Sequence, residues 1–468
     1  MVHHVPTFMS DSKLIRQIGL FDATMIMVGI VIGSGIFLST GIIAASIPSA
    51  GLILLAWVVG GLLTLAGALT YAELGAAMPE AGGQYVYIQK AYGELAAFLF
   101  GWIFFFAYMT GGIAYLALAF AEYLAYFFPF LSMDNVLLTV GMEPFSLSAG
   151  ELVGIGAIAL FTLVNFIGVG LGKTIQNVLT VIKIGTILVF VFLAFTIGKT
   201  QPMDIMAIPP DLSLGQIVVG FLVALVAVSW AFDGWNNINF VAGEITHPQR
   251  NLTLTLIFGT LIITAIYILT NVVYLMSLPV TEIAGVYRVA EVSASALFGG
   301  PAAVFISAAV LISVLGALNG SILAGARVYY AMAKDGLFFS RAAQIHPRYK
   351  TPAFALFIQA VWACVLMLSG NLEQVVTYTI FIAIVFWVVA VASLFTLRKK
   401  YPDLPRPYKT WGYPVVPVLF ILASVGILLA TLVEKPVESL SGLGLIAVGI
   451  PVYFFLKRRR NEETKTFE

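Results

Sequence analysis

The chain has 468 residues, of which 60% are hydrophobic and only 10% are charged. Soluble domains contain roughly 45–50% apolar and about 25% charged residues, so this composition excludes an ordinary soluble fold. The formal net charge of +1 gives no basic field for nucleic acid. One cysteine and four histidines exclude a disulfide scaffold and cysteine-based zinc sites. The composition therefore predicts a polytopic membrane protein.

Long apolar runs predict about twelve transmembrane helices, because each run spans the ~30 Å hydrocarbon core, which takes about 20 helical residues. The first run is long enough for two spans, and one run is interrupted only by Lys183. The runs are Ala23–Ala72, Leu95–Ala121, Leu152–Gly172, Val178–Ile197, Leu212–Phe232, Asn251–Thr281, Val292–Ala326, Thr351–Leu372, Gln374–Leu397, Thr410–Val433 and Ser439–Leu456. An all-α membrane protein is the predicted fold class.

The positive charges predict the orientation of these spans. If both termini lie on one side, that side collects most of the 24 lysines and arginines, whereas Lys199, Arg288 and Lys435 fall opposite. Such a bias favours the cytoplasm for the positive side. Residues 1–17 and 457–468 are therefore predicted to be cytoplasmic tails.

Two spans carry residues that predict broken helices. The first contains Gly33-Ser34-Gly35 near its centre, where each glycine costs about 1 kcal/mol relative to alanine. The sixth contains Asp233-Gly234, followed by Asn236 and Asn237. A carboxylate inside the membrane needs a functional or pairing reason.

These two spans correspond if 18–199 and 212–400 are inverted repeats of five helices, with 410–456 forming helices eleven and twelve. Paired glycine-interrupted spans in equivalent places indicate a transporter site at the bilayer midplane. Amides at Gly33–Gly35 would hold a carboxylate, and carbonyls near Val31 and Trp230–Phe232 would accept from an ammonium group. A free α-amino acid offers both charges on adjacent atoms.

The residue types leave two structural alternatives open. The small residues Gly33-Ser34-Gly35 are also typical of close helix packing in membranes. Asp233 could equally be a buried carboxylate that bonds backbone groups exposed by the break.

Four motifs follow one another at the predicted helix boundaries. They are Gly33–Phe37, Pro79–Tyr85, Glu244–Leu252 and Ala326–Gly336. Together they resemble the amino acid–polyamine–organocation (APC) superfamily over residues 15 to 400, and Phe232–Asn236 is most similar to the L-type amino acid transporters and their bacterial relatives. The resemblance implies a five-plus-five inverted-repeat fold with broken helices 1 and 6, and transport of α-amino acids by alternating access.

The resemblance also implies a substrate site on the two broken helices. Its residues would be Val31, Gly33, Ser34, Gly35, Trp230, Ala231, Phe232 and Asn236. The Trp230 ring would act as a gate over the substrate, and Asn236 would line the pocket. Asp233, acidic where some relatives have glycine, would favour a cationic substrate or carry a coupling proton if it faces the pocket.

Two cations fall within predicted spans. Lys183 lies where relatives carry a lysine whose ammonium replaces the sodium of sodium-driven members, and unwound carbonyls of helix one could satisfy it. Snorkelling to the cytoplasmic surface is the alternative. For Arg327 we expect snorkelling or an ion pair with Asp335 or Glu73.

The leading functional hypothesis is sodium-independent exchange of neutral amino acids across the plasma membrane. The alternative is proton-coupled uptake of amino acids or polyamines, with Asp233, Glu73 or Glu122 taking the proton. An enzyme is disfavoured because the four histidines lie in tails and loops and no nucleophile–base or metal cluster is visible. No cofactor and no metal site are expected.

The partners expected are an amino acid substrate and the lipid bilayer, and no nucleic acid. Animal L-type transporters join an ancillary glycoprotein through a cysteine between helices three and four. Here Phe128–Leu147 contains no cysteine, and Cys364 lies inside a predicted span. No disulfide-linked ancillary subunit is therefore expected.

Overall fold

The computed structural model describes residues 14–139, 146–208, 212–369 and 372–466. Most of the predicted tail 1–17 and the end of the tail 457–468 lie outside these ranges. The α-helices are α1 (Leu20–Val31), α2 (Gly35–Ser46), α3 (Ala50–Ala77), α4 (Gln84–Tyr92), α5 (Glu94–Ile103), α6 (Met109–Ala125), α7 (Ala149–Ile167), α8 (Val169–Ile197), α9 (Leu214–Ala231), α10 (Pro248–Ser277), α11 (Val280–Ile283), α12 (Val289–Phe298), α13 (Gly300–Lys334), α14 (Ala353–Leu368), α15 (Leu372–Lys400), α16 (Val415–Glu434) and α17 (Pro436–Thr466).

The helices long enough to cross a membrane agree with the predicted spans. Within the described ranges, ten segments are long and apolar enough, and α1 with α2 makes an eleventh, bent by 42° at its break. The ninth predicted span corresponds to α14, whose 16 residues extend about 24 Å at 1.5 Å per residue. The prediction of an all-α membrane protein with about twelve spans is confirmed.

Both predicted helix breaks are present. In the first span, α1 ends at Val31 and α2 begins at Gly35. In the sixth, α9 ends at Ala231, and the chain continues after a turn as a 3-10 helix over Asn237–Glu244. Gly234 in this turn has a φ of +92°, a conformation that side chains other than glycine rarely adopt. A Cβ at Gly35 would lie 2.8 Å from Ala231 Cα, so the two breaks touch.

The third span contains a π-helical turn that its sequence did not predict. Residues Phe104–Tyr108 form this turn between α5 and α6. A π-helical turn holds an extra residue, since its hydrogen bonds run from i to i+5. The hydroxyl of Thr110 donates to the carbonyl of Phe105, 2.5 Å away, and so satisfies a carbonyl at this irregularity.

Short secondary-structure elements also occur outside the long membrane-length helices. A two-stranded antiparallel hairpin joins Val136–Thr139 to Ser146–Ser148 after the third span. The predicted run Val292–Ala326 is divided into α12 and α13, of which α13 alone is long enough to cross a membrane. The physical reason for the division is Gly299, whose φ of +92° ends α12.

The buried core surrounds the two breaks. The most extensive helix contact is between α3 and α10, and α1 packs against α8, α10 and α13. Trp57 on α3 meets Tyr267 on α10 edge to face, with ring centroids 5.3 Å apart. By contrast, α8, α16 and α17 carry many exposed large apolar side chains, as expected of surfaces that face lipid.

Candidate functional site

A cavity of about 100 Å³ lies between the two broken helices. Its walls come from the first, third, sixth and eighth spans. The lining residues are Ile30, Val31, Gly33, Ser34, Gly35, Tyr108, Met109, Gly112, Tyr115, Leu116, Trp230, Ala231, Asp233, Gly234, Asn237 and Ser321. Most of the predicted substrate residues are among them, and so is Asp233, which therefore does face the pocket.

Two predicted site residues lie away from this cavity. The Phe232 ring packs 5.0 Å from the Tyr267 ring, between centroids, and is buried. Asn236 points to the start of α4, where its Nδ2 donates to Gln84 Oε1 over 2.8 Å. The prediction that Asn236 lines the pocket is not supported, because the turn after Ala231 presents its neighbour Asn237 to the cavity instead.

The first break is held by Lys183, which is 1% exposed. Its Nζ donates to Gly29 O at 2.8 Å, Ile32 O at 2.5 Å and Ser313 O at 2.8 Å. The ammonium thus bonds two carbonyls at the end of α1, where helical partners are missing, and one carbonyl of α13. Snorkelling to the surface, the alternative that the sequence left open, was wrong.

Two hydroxyls that the sequence did not single out complete the bonding of the breaks. Ser313 Oγ lies 2.8 Å from Ile32 O. Tyr267 Oη lies 3.0 Å from Val31 O and 2.9 Å from Ala231 O, so its one proton is shared between the two broken helices. A buried tyrosine hydroxyl normally finds such a partner, but the sequence gives no sign of which one.

The opposite end of the first break offers donors. Ser34 is the N-terminal cap of α2, and both Ser34 and Gly35 line the cavity. The first amides of a helix have no intrahelical acceptor and carry the positive end of its dipole. This end of the cavity is therefore suited to a carboxylate.

Asp233 is the charged group of the cavity. Its Oδ1 accepts a hydrogen bond from the Tyr108 hydroxyl over 2.6 Å. Tyr108 ends the π-helical turn of the third span, so that irregularity supplies the partner of the carboxylate. The carboxylate is thus already partly bonded before any ligand is present.

A second and larger cavity, of about 920 Å³, lies beyond Trp230 and is called the vestibule below. Trp230 and Tyr115 line both cavities, and their rings meet edge to face with centroids 5.9 Å apart. Glu122, Glu434 and Lys435 also line the vestibule, on the side predicted to be outside the cell. The Trp230 ring therefore lies at the boundary between the vestibule and the small cavity.

The other side of the molecule, called the basic face because it carries Lys173 and Arg250, is closed near the site. The amides of Gln17 and Ile18 both donate to Glu244 O over 2.9 Å, and Thr246 N donates to Ile18 O over 2.9 Å. The segment before α1 is thereby joined to the segment after the sixth span.

A buried ion pair lies behind this closure. Arg327 bonds Glu244 through Nε at 2.7 Å and Nη2 at 3.0 Å, with side-chain exposures of 0% and 1%. The expected pairing with Asp335 or Glu73 was wrong: Asp335 accepts from the Tyr85 hydroxyl. The pair joins the motif that follows the sixth span to the motif at the end of the eighth.

The remaining carboxylates proposed as proton carriers are paired. Glu73 bonds Arg398 at 2.6 Å, and Glu122 bonds Arg288 at 3.1 Å. Across the part of the chain that the structure describes, no group of three or more His, Cys, Asp and Glu residues is arranged to hold a metal ion.

Comparison with known proteins gives the family. The family model described as amino acid permease matches residues 18–456. The serine/threonine exchanger SteT of Bacillus subtilis is 32% identical over 453 residues, which cover 96% of this chain and 99% of SteT. The human b(0,+)-type amino acid transporter 1 is 32% identical over 95% of this chain and 88% of its own length. The human large neutral amino acids transporter small subunit 2 is 30% identical over 94% and 80%. The chain therefore belongs to the amino acid permease family of the APC superfamily and is a multi-pass membrane transporter of amino acids.

Proposed function

We propose that this permease exchanges small neutral amino acids and does not use sodium. The observation that carries this proposal is the ammonium of Lys183, which bonds Gly29 O, Ile32 O and Ser313 O. A monovalent cation at the first break would need these same carbonyl oxygens and would meet the fixed positive charge. Coupling to sodium at this break is therefore disfavoured.

The substrate site that we propose is the 100 Å³ cavity. The amides of Ser34 and Gly35 would hold the α-carboxylate, and carbonyls of Val31 and Ala231 would accept from the α-ammonium. Apolar walls, such as Leu116, suit a short side chain. The name of the Bacillus relative, a serine/threonine exchanger, supports a small substrate over larger ones.

Exchange is also supported by the charge balance. A zwitterion carries no net charge, so a one-for-one swap is independent of the membrane potential, which acts on each uncompensated charge with about 2.3 kcal/mol per 100 mV. Asp233 is bonded to Tyr108 rather than left free for a substrate cation. The bond of Asp233 to Tyr108 favours neutral substrates, and for these a one-for-one exchange moves no net charge.

We propose that transport follows alternating access with the basic face in the cytoplasm. Substrate would enter from the vestibule past Trp230 and leave toward the basic face when the contacts between Ile18 and Thr246 break. Segments 18–199 and 212–400 would be the two inverted repeats that move against each other, and 410–456 would lie outside them. The excess of lysine and arginine on the basic face supports this orientation.

We propose that the chain works without a disulfide-linked ancillary subunit. Its one cysteine, Cys364, is half-buried on α14 within an apolar segment. The test is electrophoresis of membranes with and without reductant: a band that shifts only without reductant, and that a Cys364→Ser variant lacks, would contradict the proposal.

The experiment for the function uses purified protein in proteoliposomes. Uptake of labelled serine, threonine, alanine or valine is measured into vesicles that are empty or preloaded with unlabelled substrate, with sodium and pH gradients varied separately. Uptake that needs preloading and ignores both gradients is expected. Accumulation in empty vesicles under an inward proton gradient would contradict exchange and favour proton coupling, and a requirement for sodium would contradict the role given to Lys183.

A further inference from the structure

Asn237 is an unusual residue of the small cavity. It begins the 3-10 helix of the sixth span, is 3% exposed and lines the cavity. Its Oδ1 has no hydrogen-bond partner among the residues that the structure describes. Buried side-chain amides are nearly always bonded, so an unpaired one at a ligand cavity indicates a missing partner.

Two other polar side chains near the cavity, those of Asp233 and Asn236, do not combine an unpaired acceptor with a position on the cavity wall. Asp233 at the same cavity already accepts from the Tyr108 hydroxyl. Asn236 does not line the cavity, and its Nδ2 donates to Gln84 Oε1. Asn237 thus combines an unpaired acceptor with a position at the cavity wall.

The residues around Asn237 define which part of a substrate could bond its amide. The main-chain ends of an amino acid would be held at the helix breaks, which leaves its side chain to the rest of the wall. That wall contains Ile30, Met109 and Leu116, with Ser321 of α13 as a further polar residue. Besides Asn237 and Ser321, the polar side chains on the wall include those of Tyr108, Tyr115 and Asp233. Asp233 and Tyr108 already bond each other, so a short substrate side chain with one polar group would meet apolar surface and few unbonded polar groups.

A hydroxyl matches Asn237 in either orientation of the amide. It can donate to Oδ1, and if the amide is turned over it can accept from Nδ2, since a hydroxyl both donates and accepts. A methyl group of the same size can do neither, and it leaves the amide buried and unpaired. A site with such a group discriminates against the substrate that lacks the hydroxyl.

We infer that Asn237 selects amino acids with a short hydroxylated side chain over their isosteric apolar counterparts. Threonine is preferred to valine, and serine to alanine, because only the hydroxylated member bonds the amide. This inference rests on the proposed function, since it assumes that the small cavity holds the substrate.

The test compares threonine and valine, which have nearly the same shape, by exchange into proteoliposomes. The ratio of their kcat/KM values is measured in the wild type, in Asn237→Leu and in Thr255→Val. The last variant removes another buried hydroxyl without a partner in the described chain, on α10 and away from the cavity. The threonine-to-valine ratio should fall on the order of tenfold in Asn237→Leu and stay at the wild-type value in Thr255→Val.

The threonine-to-valine ratio separates a loss of side-chain recognition from misfolding, because misfolding lowers the exchange rates of both substrates together. An unchanged ratio in Asn237→Leu would overturn the inference. If that variant is not recovered, the wild type is assayed with serine and alanine, which differ only in the hydroxyl: a kcat/KM for alanine equal to or above that for serine would overturn the inference. Failure of the wild type to exchange any of these amino acids would instead contradict the proposed function, whereas equal exchange of threonine and valine contradicts only the role of Asn237.

Discussion

Replacing Tyr267 with phenylalanine removes the one hydroxyl that bonds both broken helices. Its oxygen lies within 3.0 Å of Val31 O and 2.9 Å of Ala231 O. The ring would stay in place, because it is packed edge to face against Trp57 and Phe232. The variant therefore tests the hydroxyl separately from the aromatic packing.

The size of the effect follows from the single proton. The hydroxyl donates its proton to only one of the two carbonyls at a time. Val31 O also accepts from Gly33 N at 2.8 Å, so removal of the hydroxyl leaves mainly Ala231 O without a hydrogen-bond donor. Leaving a buried acceptor without its donor costs about 1–3 kcal/mol. At 1.4 kcal/mol per tenfold, kcat/KM for exchange should fall roughly 5- to 150-fold if the two breaks must be held together to bind substrate.

The assay is exchange in proteoliposomes, with thermal unfolding of the purified protein alongside. Tyr274→Phe is the matched control: it lies two helical turns further along α10, is buried, and has a hydroxyl without a partner in the described ranges. Its kcat/KM should stay within about twofold of the wild type, since no hydrogen bond is lost. Equal kinetics for the two variants would refute the role assigned to the Tyr267 hydroxyl.

Three further predictions concern the bonds and the gate around the site. Lys183→Met should abolish most exchange in proteoliposomes, because Gly29 O loses its cationic donor; exchange at the wild-type rate would contradict its role at the break. Trp230→Ala should join the vestibule to the small cavity and raise uptake into empty vesicles relative to preloaded ones, and an unchanged ratio would argue against a gate. Glu244→Gln should lower the free energy of unfolding in detergent by about 3–5 kcal/mol, because Arg327 is left buried without a counter-charge. Glu122→Gln, which breaks a partly exposed pair, should cost at most about 1 kcal/mol, and similar losses in both variants would contradict the distinction.

Much of the architecture could be predicted from the sequence because the membrane constrains it. Long uncharged runs locate the spans, and residues that form poor helices, such as Gly33 and Gly234, locate the breaks. A charge at membrane depth demands partners, and together with the family resemblance this need linked Lys183 to the first break before its contacts were seen. Each of these inferences depends on local composition rather than on side-chain direction.

The predictions that were wrong concern residues whose contacts depend on the direction of the side chain. Asn236 and Asn237 are the same residue type, and only the turn after Ala231 decides which one meets the cavity. A 3-10 helix turns by about 120° per residue and an α-helix by about 100°, so the facing of residues beyond a break cannot be extrapolated from the helix before it. The π-helical turn that ends at Tyr108 changes the register of the third span in the same way.

Hydrogen-bond and ion-pair partners that are distant in the sequence could not be predicted either. Arg327 has carboxylates within reach in several predicted places, and its actual partner Glu244 lies 83 residues away in the chain. Tyr267 stands in an apolar run of α10, where its hydroxyl gives no local pattern. Such contacts depend on how spans pack, which one sequence without its relatives does not specify.

The pairing of the segment before α1 has a mechanical consequence. Ile18 is bonded to Glu244 and Thr246, and only Gly19 separates it from the first residue of α1, Leu20. The single residue between Ile18 and α1 spans less than about 4 Å, so α1 cannot tilt far at this end while the hydrogen bonds of Ile18 persist. Tilting of the first helix and release of the N-terminal segment are therefore a single event with one barrier, and a truncation that removes Ile18 would lower that barrier without touching the substrate cavity.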